Sequence, residues 1–420
     1  MEEPLRRHAD TPTTESGGNG TAPPAPALAF PGATAGDGAG DGLHLLTGNQ
    51  DISDDEFAKV CALIDQLRTI HFESRRYVER HGLAAAIFLP GSVWAEINDP
   101  DHFTNWTYDL VNYVRCASPF TGFDLMMWSR RDVPGQLDAA KVNDFYGRFI
   151  SGALGYEDVA ERLEVEFDLS SHIAKSIPRM TDFYDELVGR IPERYRIIAP
   201  PCAGEIGWSH HGRIINPDVI LYQRRVNALY AGGALQTVED AIAAHGSANY
   251  LEIGSGHCLF AHALAECFAG KLNVHLIDLP FVMANGVAYL ACATGADRIG
   301  LVTATTTEAI DRPFVFVPNY LVPHYERHLP AFDLVHNAIS FNEMTAAQVA
   351  YYYDLVERHM ADDGVFHIAG GHKVLDYHVD AVAAAIDRFP NHAVYPDREI
   401  AGYLVGERPN TFIRRSLVAA

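Results

Sequence analysis

Residues 250–258 read YLEIGSGHC. An apolar run interrupted by one acid, Glu252, leads into two glycines, Gly254 and Gly256, one residue apart. Glycine lets a backbone turn sharply and come close to a ligand with no Cβ in the way. A strand followed by such a turn therefore predicts a site for a nucleotide-like molecule. A dinucleotide fingerprint needs a third small residue three positions after the second glycine, so that helix and strand pack closely. That position holds Leu259, so a nicotinamide dinucleotide is not the expected ligand.

The texture around the turn sets the fold. After Asn249 the runs NYLEIG, NVHLID, PFVFVPNYL, AFDLVHNAI and GVFHIAG alternate with CLFAHALAECFAG, FVMANGVAYLACATG and TAAQVAYYYDLVERHM. DYHVDAVAAAIDRF then predicts a further helix before HAVYP and NTFIRRSLV. Strand–helix alternation predicts right-handed crossovers and a parallel sheet covered on both faces. The last two strands lack a long helix between them and predict an antiparallel strand at the sheet's edge. GLVTATT (300–306) reads either as the third strand or as a loop before it. The fold class is thus α/β, a mostly parallel sheet with an antiparallel strand at its edge and a helical N-terminal region.

Upstream, DDEFAKVCALIDQLRTIHFESRRYVERHG (54–82) spaces apolar residues three and four apart and stops at Gly82, as a helix does. TNWTYDLVNYVRCAS and VNDFYGRFISGAL read as further helices, punctuated by PGS, NDPD and VPGQ. A turn-rich stretch, IAPPCAGEIGWSHHGRIINPD (198–218), separates this part from the lead-in helix VILYQRRVNALYAGGAL. Residues 1–45, rich in Gly, Pro, Ala and Thr, cannot bury enough apolar surface to offset chain entropy and are expected to be disordered. The expected division is a tail over 1–45, a helical domain over 46–200 serving the acceptor or a dimer, a linker with the lead-in helix over 201–248, and the cofactor domain over 249–420.

The chain has 420 residues, 48% hydrophobic and 20% charged, enough to bury a sizeable core. With 54 acids against 32 bases the net charge is -22, which repels phosphate backbones and anionic lipid. Nucleic-acid and membrane partners are not expected. Six cysteines without a CxxC spacing suggest neither a zinc site nor a disulfide framework, and reduced thiols in a cytoplasmic setting are the simplest reading. The first residues show no basic start followed by an apolar stretch, so a secretory signal is not expected.

Several candidates follow from position. Asp278, which ends the second strand in LIDLP, can accept both hydroxyls of a ribose. Glu252 can engage an amino group or order the turn. The motifs YLEIGSGHCLFAHAL, LIDLP and FDLVHNAISFNEMTAAQVAYYYDLV resemble class I S-adenosylmethionine-dependent methyltransferases, and within them the sugar O-methyltransferase family of natural-product pathways. NPDVILYQRRVNALY is similar to the sugar family's lead-in, so the resemblance runs from about residue 210 to the end. A third glycine often follows the pair in such sequences, and here Cys258 stands in its place.

The resemblance implies a Rossmann-like methyltransferase sheet, S-adenosylmethionine as cofactor, a small-molecule acceptor such as a sugar or glycoside, and methyl transfer to a hydroxyl. Glu252, Gly254, Ser255, Gly256, Asp278, Leu279, Asn337 and Ala338 are the expected cofactor residues. Ser340, Asn342, His210 and His211 are the expected acceptor residues. Glu343, which could equally cap the following helix, and His372 in GGHK are the candidate bases. His336 reads as a core histidine within a strand. No metal motif is present. A phenol, amine or carbon acceptor, or a non-catalytic cofactor-binding module, remain alternative readings, and helical N-terminal regions of methyltransferases can mediate a homodimer.

Overall fold

The computed structural model describes residues 52–91, 106–112, 114–117, 180–200, 202–210, 213–370, 380–389, 391–395 and 410–414, with residues 28–29 and 44–48 and scattered positions between 138 and 167. Its centre is an eight-stranded sheet. In chain order the strands are β5 (Ala248–Ile253), β6 (Leu272–Asp278), β7 (Ile299–Leu301), β8 (Phe314–Pro318), β9 (Phe332–Ala338), β10 (Met360–Ala369), β11 (His392–Tyr395) and β12 (Asn410–Arg414). They lie side by side as β11-β12-β10-β9-β5-β6-β8-β7. All pairings are parallel except those of β12, which runs antiparallel to both β10 and β11.

The expected Rossmann-like class is what the chain adopts. Two details differ. GLVTATT begins in a short strand of its own, β7, which pairs outside β8, so PFVFVPNYL keeps the third place. The antiparallel strand is second from the edge, because β12 slots between β10 and β11 and covers the edge of β10.

Helix α1 (Asp54–Arg80) starts at Ser53, whose side chain accepts from the Glu56 amide, with Asp54, Asp55 and Glu56 in the first turn where the helix dipole favours acids. It buries Val60, Ile64, Leu67, Ile70 and Val78. The lead-in splits at Gly232–Gly233 into α2 (Pro217–Ala231) and α3 (Ala234–His245). Helix α4 is Leu259–Cys267, α5 Pro280–Thr294, α6 Ala346–His359 and α7 Ala381–Arg388. Residues 283–291 of α5 are all buried, because α1 packs against it on the side away from the sheet. A helix apolar all round is a helix enclosed all round. Polar bonds fix the contact: Lys59 to Asp297 at 2.8 Å, the Ala296 amide to Glu56 at 2.9 Å and the Tyr320 hydroxyl to the Ile70 carbonyl at 2.8 Å.

The turn-rich stretch carries two strands, β3 (Glu205–His210) and β4 (Arg213–Ile215). They join β1 (Leu28–Ala29) and β2 (His44–Gly48) in a small antiparallel sheet of order β1-β2-β3-β4. The expected tail therefore contributes residues 28–29 and 44–45 to strands; its remaining residues lie outside the described ones. The short apolar stretches Leu28–Ala29 and Leu45–Leu46 are where this low-hydrophobicity segment can pair.

That hairpin is tied to the main domain by a buried ion network. Arg115, fully buried, donates to Glu205 at 2.7 and 3.0 Å and to Asp218 at 2.9 Å, and Asn216 donates to Glu205 at 2.5 Å. Removing one member of a buried pair strands the other charge, at a cost of about 3–5 kcal/mol. Arg115→Met is expected to lower unfolding stability by about that amount, measured as the shift in urea midpoint at constant slope. A loss below about 1 kcal/mol would show that the network is not needed to hold the hairpin.

Candidate active site

The glycine turn sits at the carboxyl end of β5, between the ends of β6 and β9. Gly254 and Gly256 both have positive φ, +75° and +53°. A Cβ on Gly254 would fall 1.9 Å from Ser340 Oγ, so glycine is required there twice over, by conformation and by space. Asn337, buried at the end of β9, donates to the Ile253 carbonyl at 2.7 Å and to Ser340 Oγ at 2.6 Å. From the other side Asp278 accepts the Gly256 amide at 2.7 Å and the Leu279 amide at 2.7 Å. The turn is thus held by a neighbour on each flank.

The missing third glycine has a structural answer. Cys258 stands in the left-handed region at φ +64° and caps α4. Its thiol occupies the space facing Gly286 of α5: a Cβ on Gly286 would come within 2.5 Å of Cys258 Sγ. The glycine lost from the turn is matched by one on the helix opposite.

Around this turn lies a cavity of about 330 Å³. Gly254, Gly256, Asp278, Leu279, Ala338, Ser340 and Glu343, all expected from sequence, line it. Asp278 is half-buried, and burial pushes its carboxyl up to about 6, with the Glu343 carboxylate adding to the effect. Glu343 ends a short 3-10 turn, Ser340–Glu343. It does not cap α6, because Thr345 does, in a reciprocal pair with Gln348.

Other candidates lie elsewhere. Glu252 and Ser255 are buried outside the cavity lining, Asn337 serves the turn, and Asn342 is buried beside it. His210 lies in β3, bonded to Asp185 at 2.8 Å and away from the cavity. His211 and His372 fall outside the described residues. His336 is a core histidine of β9 whose Nδ1 meets His367 Nδ1 at 3.0 Å.

Several lining residues were not anticipated. Pro90 and Gly91, read as simple punctuation, reach the cavity because Gln348 of α6 donates to the Ile87 and Leu89 carbonyls. His257 lines it with Nε2 3.1 Å from the Tyr222 hydroxyl of α2. Ile339 lines it at φ +70°, held by its amide on Ala369 and by the Asn342 amide on its carbonyl. A β-branched residue in that region stores about 1–3 kcal/mol of strain. Asn319, following β8, is 4% exposed; its Nδ2 donates to the Phe88 carbonyl at 3.0 Å, while Oδ1 has no partner among the described residues.

These features fit an adenosine-bearing ligand. Asp278 accepts a backbone amide on each oxygen, and a carboxylate has acceptor capacity beyond that. Asn319 Oδ1 is a buried acceptor at the cavity wall, and a buried acceptor wants a donor. The glycines leave room for close backbone approach.

No family model matches the chain, and no curated protein matches it. Among solved structures it is similar to the O-methyltransferase TomG from Streptomyces achromogenes, involved in tomaymycin synthesis and solved with S-adenosylmethionine, at 13% identity over 44% of this chain and 80% of that one, TM-score 0.31. It is similar also to the O-methyltransferase from Bacillus cereus solved with S-adenosylhomocysteine (11%, 43% and 79%, TM-score 0.31). The glycopeptide N-methyltransferase MtfA is a further neighbour (15%, 43% and 94%, TM-score 0.28).

Gly286→Ala is expected to destabilise by about 1–3 kcal/mol, against the usual gain of alanine in a helix. In a Cys258→Gly background the loss should shrink, giving a coupling of about 0.5–3 kcal/mol in a double-mutant cycle from chemical denaturation. Additive effects would show that the two positions do not share the space.

Proposed function

We propose that this protein is an S-adenosylmethionine-dependent O-methyltransferase acting on a hydroxyl of a sugar or sugar-bearing small molecule in a biosynthetic pathway. The observation that carries the reading is the pairing, in one cavity, of Asp278 beside the glycine turn with the unpartnered, buried Oδ1 of Asn319. Asp278 would take the ribose hydroxyls, Asn319 Oδ1 the adenine amino group, and the Gly254–Gly256 turn the cofactor's amino-acid end. When bound, the cofactor supplies an activated methyl group for transfer to a nucleophile. A sugar hydroxyl is a poor nucleophile, so a base on its proton helps.

Glu343 is the described lining residue best suited to take that proton, since both oxygens of Asp278 already accept backbone amides. His372 is the second candidate. Val282, Ile339, Met344 and Tyr352 give the cavity apolar walls that exclude water. The sugar acceptor rests on the sequence resemblance.

Asp278→Ala should weaken S-adenosylhomocysteine binding by about 2–4 kcal/mol in calorimetry, through loss of charge-assisted hydrogen bonds. Unchanged affinity would remove Asp278 from the cofactor site. With methyl-labelled cofactor and a panel of sugars, glycosides and phenols read by mass spectrometry, a sugar hydroxyl should be labelled. On that acceptor, Glu343→Gln should lower kcat by about 10²–10⁴-fold without changing cofactor affinity. Labelling confined to phenols or amines would contradict the sugar reading, and full kcat in the variant would move the base elsewhere.

A further inference from the structure

Charge around the cavity is one-sided. Among the described residues that line it there are two acids, Asp278 and Glu343, and no lysine or arginine. A third carboxyl lies just behind the glycine turn. Glu252 is 3% exposed, and its Oε2 has no hydrogen-bond partner among the described residues. Burial pushes its carboxyl up to about 8, and the Asp278 charge adds to the effect, so the two acids sense one another.

Among the described residues, titratable groups face Glu252 from several elements. From α2 come Arg225 and Tyr222; β5 supplies Tyr250, the turn Cys258, β6 Asp278, and β9 its register partner His336. Arg225 is the one cation among them. It is half-buried over the rings of Tyr222 and Phe260, at 5.1 and 5.8 Å, and forms no ion pair with Glu252. Its field moderates the rise without cancelling it. His336 is held neutral by burial. Asp278 therefore stands in the cavity lining on two backbone amides, and Glu252 is buried behind the turn, outside the lining, with no bonded cation among the described residues.

We propose that the cavity separates the cofactor from its demethylated product by charge, through Glu252 and Asp278. This rests on the reading of the cavity as an S-adenosylmethionine site. The cofactor and S-adenosylhomocysteine share every hydrogen-bonding group; they differ by one methyl and by the positive charge of the sulfonium. A nearby cation favours the ionised form of an acid. By linkage, binding the cation drives protons off these carboxyls, and binding the neutral thioether does so less. Both acids have raised pKa values, so below about pH 6 both hold protons and neither helps to separate the two ligands. As pH rises through about 6 and then about 8 the carboxylates appear, and the cation gains while the thioether gains little. After methyl transfer the attraction is gone, and the product leaves a site built for a cation.

Calorimetry on the full chain with S-adenosylmethionine and S-adenosylhomocysteine tests this at about pH 5.5 and about pH 8.5. The preference for the cation should grow about tenfold across that range, a change worth one pKa unit. Titrations near pH 7.5 in two buffers of different ionisation enthalpy should show the cation releasing more protons than the thioether. Glu252→Gln, with Asp278→Asn as a second variant, should narrow both differences. A pH-independent preference together with equal proton release in the native protein would overturn the charge mechanism while leaving the cofactor reading intact. Binding of neither ligand would overturn both.

Discussion

A single hydrogen bond does much of the positioning: the carboxylate of Asp278, at the end of β6, accepts the amide of Gly256 at 2.7 Å. It joins the two strands whose ends define the cavity floor and fixes the second glycine in its left-handed conformation. The same carboxyl faces the cavity, so the group that shapes the turn is also the one offered to a ligand. On the other flank Asn337 grips the Ile253 carbonyl. The β6 end and the β9 end are thus each bonded to the β5 end and its turn.

The N-terminal region is part of this construction. Helix α1 covers α5, and the segment after it is drawn to the cavity by Asn319 and Gln348, whose amides donate to carbonyls between Ile87 and Leu89. Residues about 230 positions apart in the chain thereby share one wall, as the 231-residue separation of Phe88 and Asn319 shows. A cofactor domain alone would leave that side open.

The strands and the glycine turn were legible because they rest on local signals: apolar runs, punctuation and a glycine pair. Asp278 and Glu343 were legible because strand ends can be located from the same runs. Asn319 was hidden inside a run read wholly as strand, and its role depends on a carbonyl contributed by Phe88. Pro90 and Gly91 carry a turn signal that says nothing of what the turn meets. The β3–β4 hairpin was hidden by its glycines and prolines, although Glu205–His210 does carry alternating residues. The left-handed Ile339 has no sequence signal, since its strain is imposed by bonds to Ala369 and Asn342. Cys258 signalled a departure, yet its compensation by Gly286 needed the packing of α5 against the turn.

On this account the cavity holds the adenosine of S-adenosylmethionine. A crystal structure of the full chain grown with S-adenosylhomocysteine tests it most directly. The expected result is ligand density at the glycine turn, ribose hydroxyls on Asp278 and the adenine amino group on Asn319 Oδ1. Ligand bound elsewhere, or with its ribose away from Asp278, would contradict the claim.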